Sequence, residues 1–111
     1  RRVLFRSRWQ EFIRHDPFAL REVTSGFLLA HQDLTRESLA AAPQIHCPTL
    51  LMLAGRDQII DNEATKGWAS RLGTQQLMVC EYPDAQHTLE FEPQPDRFVN
   101  DLVEWLSSIR R

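Results

Sequence analysis

The sequence has no methionine before Met52, only two cysteines, and no apolar run longer than the six residues Leu50 to Gly55. A membrane-spanning helix needs about 20 consecutive apolar residues, so no such helix is encoded here. Two cysteines, Cys47 and Cys80, cannot build a disulfide framework, and they point to a reduced, cytoplasmic setting. Positive charge is not in excess either. Thirteen Lys and Arg stand against 15 Asp and Glu, for a net charge of −2 and a pI near 6.1, which argues against a nucleic-acid scaffold. No segment repeats and none is of low complexity. At 42% hydrophobic and 25% charged residues, the composition is that of a globular chain rather than a disordered one. The length of 111 residues allows one soluble domain at most.

The late first methionine predicts a sequence read from the middle of its gene. The opening stretch RRVLFRS carries three arginines and lacks the apolar run of a signal peptide. It resembles the in-frame translation of the end of a sequencing-library adapter, so residues 1–7 are expected to be a scar outside the fold. The plainer alternative is a basic lead-in to a helix.

Residues 8–42 read as helical throughout. Trp9, Phe12 and Ile13, at i, i+3 and i+4, predict a short helix over 8–14 that His15-Asp16-Pro17 breaks. A second helix is predicted over 18–31, with Leu20, Val23, Phe27 and Leu28 on one face, better suited to a core than to a lid. A third is predicted over 35–42, capped by Thr35 and ended by Pro43.

The pattern then changes. TLLMLAG, residues 49–55, is a short apolar run closed by glycine, the signature of a strand buried on both faces. A helix over 62–72 places Ala64, Trp68, Ala69 and Leu72 together, with Asp61 as its N-cap and Gly73 as its C-cap signal. A second strand is predicted over 75–82, and an amphipathic helix over 96–109 through Phe98, Val99, Leu102, Trp105, Leu106 and Ile109. The class is α/β, a βαβα unit with two parallel strands. Such a pair needs neighbouring strands, and nothing before residue 49 supplies one. Residues 43–111 are therefore expected to be the C-terminal part of a larger α/β domain.

Ligand chemistry in open α/β sheets collects beyond the carboxyl ends of the strands. Asp57 lies just past the first predicted strand, in AGRDQIID, and His87 just past the second, in EYPDAQHTLEFE. Each alone reads as ordinary: an aspartate in a turn, a histidine in a solvated loop. Neighbouring parallel strands lie under about 5 Å apart, so the two side chains can meet. A carboxylate that accepts from one imidazole nitrogen frees the other to take a proton from a nucleophile. Asp61, Asn62 and Glu63 do not fit a calcium-loop pattern. His15, His31 and His46 have no partner at ligand spacing, and Cys47 and Cys80 read as small buried apolar groups. Glu90 and Glu92 flank the histidine loop as solvated charge or as its support.

The run IHCPTLLMLAGRDQIID, followed by YPDAQHTLEFE and a helix ending in DLVEWL, resembles the C-terminal part of an α/β-hydrolase. The nearest likeness is to the lysophospholipase and monoacylglycerol-lipase-like branch, grouped with the S33 serine aminopeptidases. It covers residues 43–109 well, while residues 8–42 resemble cap or lid helices more loosely. The resemblance implies that Asp57 is the acid and His87 the base of a catalytic triad. One detail departs from the usual G-x-x-D loop: Ala54 stands at the usual glycine place, and Gly55 is two residues before Asp57.

The nucleophile is the missing part. In this superfamily it sits on a G-x-S-x-G elbow that precedes the acid. The glycines are Gly26, Gly55, Gly67 and Gly73, no two of them four apart. Of the serines before Asp57, Ser25 and Ser38 have the wrong context and Ser7 falls in the adapter-like stretch. The expected function is that of a C-terminal piece of a serine hydrolase acting on carboxylic esters, inactive by itself. Its implied partner is a small ester or lipid-like substrate; no cofactor, metal or nucleic acid is implied. Related branches place Asp or Cys at the nucleophile. The alternative from another class is a catalytically silent hydrolase-like scaffold or partner-binding module, against which the retention of both Asp57 and His87 weighs.

Overall fold

A computed structural model describes residues 2–109, with side chains from Ser7 onward. The adapter-like stretch 1–7 thus lies, apart from Ser7 and the backbone of residues 2–6, outside the described residues. Helix α1 (Arg2–His15) stops at Asp16-Pro17. Asp16 Oδ1 accepts from Phe18 N at 2.9 Å, and the Arg21 guanidinium donates to Ile13 O and Arg14 O at 3.2 and 2.7 Å. That cation satisfies carbonyls the helix end leaves open.

The two helices predicted over 18–31 and 35–42 are one, α2 (Ser25–Ala41), and residues 18–24 are not helical. The start is fixed by Thr24, whose Oγ1 accepts from Phe27 N at 3.1 Å, and not by the apolar spacing that begins earlier. Gln32, Asp33 and Leu34 include no proline or glycine, so nothing interrupts the helix before Thr35. Thr35 is no N-cap; its hydroxyl donates back to His31 O at 2.9 Å from mid-helix.

A 3-10 turn through Pro43 leads to strand β1 (Thr49–Ala54), helix α3 (Asn62–Ala69), strand β2 (Leu77–Tyr82), a 3-10 turn (Leu89–Phe91) and helix α4 (Asp96–Ser108). The strands are parallel, in register from Thr49 opposite Leu77 to Ala54 opposite Tyr82. The α/β reading holds, and Asp61 caps α3 by accepting from Ala64 N at 2.9 Å. Gly73 is not a left-handed C-cap, since α3 ends earlier and no described residue has a positive φ. Its lack of a side chain serves packing instead: a Cβ there would collide with the Pro43 carbonyl and the His46 ring, whose Nδ1 lies 3.0 Å from Gly73 O.

The core is small. Among the described residues, Ala42, Leu53, Ala54, Ala69, Tyr82 and Ala85 are buried. The strand expected to be buried on both faces, residues 49–55, is half-buried from Thr49 to Met52 and buried at Leu53 and Ala54. Leu77, Met78 and Val79 of β2, by contrast, are exposed by 37–47%, because the sheet has two strands and both are edges. Phe27, Leu28, Leu29 and Leu34 of α2 are likewise more than half exposed, so their face is not core in this chain. Cys47 is exposed and Cys80 half-buried, not the buried groups expected. The accessible surface of 9080 Å² exceeds the roughly 6,300 Å² of a compact protein of this mass. The radius of gyration, 16.7 Å, exceeds the expected value of about 13 Å. No helix among the described residues is long and apolar enough to cross a membrane.

Polar contacts hold the elements around the sheet. Tyr82 OH donates to Asp101 Oδ2 at 2.8 Å, with the Arg97 guanidinium 5.4 Å from its ring centroid, so α4 is tied to the end of β2. Burial, then the Asp101 carboxylate, pushes the Tyr82 phenol well above its ordinary pKa. Lys66 joins α3 to β2 through Glu81 at 2.7 Å and reaches Glu63 at 3.0 Å. Those bonds, Glu81 first, raise the Lys66 pKa. Trp68 Nε1 donates to Ser38 O at 3.1 Å, fastening α2 to α3, and Trp9 of α1 stacks on Phe91 at 4.4 Å.

Candidate active site

Strands β1 and β2 end side by side, and the loops that leave them are clasped together. Gly55 N donates to Tyr82 O, and Arg56 N to Ala85 O, each at 2.8 Å. A Cβ on Gly55 would stand 2.6 Å from Pro83 Cα and 2.8 Å from Pro83 O. Its φ is not positive, so the glycine is required by space and not by backbone conformation. This accounts for the displaced glycine of the acid loop. Ala54 closes the strand at 4% exposure, and the next residue is where the other loop presses in. The Arg56 guanidinium also meets Asp84 at 2.7 Å, but both side chains are about 60% exposed and such a pair adds little.

Asp57 follows directly. Its Oδ1 accepts from Ile59 N at 2.8 Å and Ile60 N at 3.0 Å. The same carboxylate receives His87 Nδ1, at 3.1 Å from Oδ1 and 2.9 Å from Oδ2. The pKa of Asp57 is lowered to about 2, chiefly by the Ile60 N–H; burial opposes this, and the Ile59 N–H and His87 add to it. An ionised carboxylate only accepts, so the hydrogen lies on His87 Nδ1 and the neutral ring keeps its lone pair on Nε2. The acid is hidden, with its side chain 6% exposed, while the imidazole is 43% exposed. A shielded acceptor thus orients an imidazole whose other face is open to solvent.

The other residues singled out from the sequence lie elsewhere. Asp61 caps α3, His15 Nδ1 is 2.8 Å from Glu11 O within α1, His31 is exposed on α2, and His46 bonds Gly73. Ser25 and Ser38 belong to α2, and neither hydroxyl bonds His87. Ser70, Ser107 and Ser108 each donate to a carbonyl of their own helix or its end. No three His, Cys, Asp or Glu side chains among the described residues gather to hold a metal. A cavity of about 710 Å³ lies beside the histidine loop, lined by Tyr82, Leu89, Glu92, Arg97 and Phe98 among others; neither Asp57 nor His87 lines it.

Two residues support these loops: Asn62, which the sequence did not single out for this role, and Glu92, for which support of the histidine loop was one of two open alternatives. Asn62 Nδ2 donates to Ala54 O at 2.8 Å, so the first residue of α3 holds the carbonyl from which the acid loop departs. Glu92 Oε1 accepts from Gln86 N at 2.9 Å, which makes it part of the histidine loop rather than solvated charge. Only the position of Glu92, closing a loop that carries a histidine, hinted at this. Asn62 gave no signal beyond helix capping.

The sequence profile of the family described as serine aminopeptidase, S33, matches residues 3–94. That span runs from α1 through the histidine loop and contains both Asp57 and His87. No curated protein matches the chain.

Proposed function

We propose, from the premise that the chain belongs to the serine aminopeptidase S33 family, that Asp57 and His87 are the acid and base of a serine-hydrolase triad. The observation that carries this reading is the bond between His87 Nδ1 and Asp57 Oδ2, 2.9 Å long and joining the ends of two parallel strands. The nucleophile comes from outside these residues, before Asp57 in the chain.

In the assembled site, His87 Nε2 takes the proton of the nucleophilic hydroxyl as it attacks an acyl carbonyl. Asp57 fixes the Nδ1–H tautomer and stabilises the imidazolium that forms. His87 then protonates the departing alcohol, and afterwards draws a proton from the water that hydrolyses the acyl-enzyme. The substrates are carboxylic esters of the lysophospholipid or monoacylglycerol kind, the class that the sequence resemblance carries. The exposed apolar side chains of α2 suit a lid over such a lipid-like acyl chain. No step calls for a cofactor. A reducing, cytoplasmic setting suits the two free thiols, Cys47 and Cys80.

The test is to extend the reading frame upstream in the source DNA, express the longer chain and measure p-nitrophenyl butyrate hydrolysis. A G-x-S-x-G segment is expected there. Asp57→Asn should lower kcat roughly 10⁴-fold through the wrong tautomer, and His87→Ala at least as much. A non-nucleophile at the elbow would favour the silent scaffold. Turnover indifferent to His87→Ala would exclude His87 as the base.

A further inference from the structure

We propose that Glu92 is a positioning residue that holds His87 in place against Asp57. The proposal deepens, and rests on, the reading of Asp57 and His87 as an acid–base pair.

Among the described residues no hydrogen bond reaches the His87 backbone; its only one is the side-chain bond to Asp57. Its place is therefore set by its neighbours. On the N-terminal side, Ala85 is buried, donates to Tyr82 O at 3.0 Å and receives Arg56 N at 2.8 Å. On the C-terminal side the chain enters the 3-10 turn, where Phe91 N bonds Thr88 O at 3.1 Å and Glu92 N bonds Leu89 O at 3.2 Å. That turn brings the Glu92 carboxylate back onto Gln86 N at 2.9 Å, one residue before His87. Residues 86–92 thus form a ring closed by one charge-assisted hydrogen bond, with His87 carried on it. Gln86 and Glu92 are both half-buried, and without the carboxylate the Gln86 N–H loses its only protein acceptor among the described residues. Removing the carboxylate opens the ring and frees the imidazole to leave Asp57.

The test uses the full 111-residue chain, labelled with ¹⁵N, in unmutated form and as Glu92→Ala and Glu92→Gln. Two signals are read: amide exchange of Gln86, and the His87 Nδ1–H resonance. Glu92→Ala should speed Gln86 exchange roughly tenfold or more, the equivalent of one charge-assisted bond, and weaken or abolish the Nδ1–H resonance. Glu92→Gln keeps an acceptor oxygen and should preserve both. An Nδ1–H resonance unchanged in Glu92→Ala, whether or not Gln86 exchanges faster, would overturn the proposal. So would loss of the Nδ1–H resonance in Glu92→Gln while Gln86 stays protected. Should Glu92→Ala unfold the chain, Glu92→Gln decides: Gln86 protected supports the closed ring, and Gln86 exchanging freely refutes it. Failure of the acid–base reading looks different. The unmutated chain would then show no Nδ1–H resonance although Gln86 is protected, and the positioning role would fall with it.

Discussion

His87 Nδ1 and Asp57 Oδ2 stand 2.9 Å apart although 30 residues separate them in the chain. The parallel register places Ala54 opposite Tyr82, so both loops leave the sheet at the same level, and Gly55 lets them touch. Two backbone N–H groups hold the Asp57 carboxylate ionised.

Gly55 is the residue on which the approach of the two loops depends. Gly55→Ala sets a Cβ 2.6–3.0 Å from the Pro83 backbone, which has no flexible end to yield. We expect a loss of about 1–3 kcal/mol in urea unfolding, together with weakening of the Asp57–His87 bond. An unchanged urea midpoint would show that the loops separate freely.

Acid stability should carry the mark of Asp57. Its folded pKa, about 2, lies below the ordinary aspartate value of 3.8. A carboxylate with a depressed folded pKa stabilises the fold fully above its unfolded pKa, and that contribution is lost as pH falls through the folded value. Asp57→Asn should therefore be less stable than the unmutated chain at pH 5–7. The gap should narrow below about pH 4 and close near pH 2. Denaturant midpoints along this series measure it; a gap of constant size would contradict the shift.

The 111-residue chain alone should hydrolyse a p-nitrophenyl ester no faster than buffer. The hydroxyls of Ser25, Ser38, Ser70, Ser107 and Ser108 are all unengaged with His87. Turnover that His87→Ala abolishes would mean that a nucleophile lies within these residues.

Exposed sheet edges and the bare face of α2 should make the chain associate. Leu77, Met78 and Val79 are exposed on an apolar strand whose outer edge has no neighbour among the described residues, and Phe27, Leu28 and Leu29 form an uncovered helix face. Sedimentation velocity should show mass rising with concentration, and Val79→Lys should reduce it. A monomer with a sharp, concentration-independent thermal transition would contradict this.

The sheet and the pair of strand-end residues were legible because both follow from short-range patterns. An apolar run closed by Gly55 marks a strand, and a polar residue just past it falls at the sheet edge. Helix α2 was misread because apolar spacing continues into residues 18–24, whereas the boundary is set by one hydroxyl, that of Thr24. Gly73 has the sequence position of a C-cap, yet it is small because Pro43 and His46 crowd it from far along the chain. Asn62 and Glu92 bond backbone groups of their own loops, Ala54 O and Gln86 N, eight and six residues back, and neither spacing belongs to a helix or strand period.

The most direct measurement is a long-range ¹H–¹⁵N spectrum of the His87 ring, recorded as a function of pH. The expected result is a protonated Nδ1 with a slowly exchanging hydrogen and a bare Nε2, reversed or averaged in Asp57→Asn. A hydrogen resting on Nε2 in the unmutated chain, or a spectrum that Asp57→Asn leaves unaltered, would contradict the pairing of acid and base.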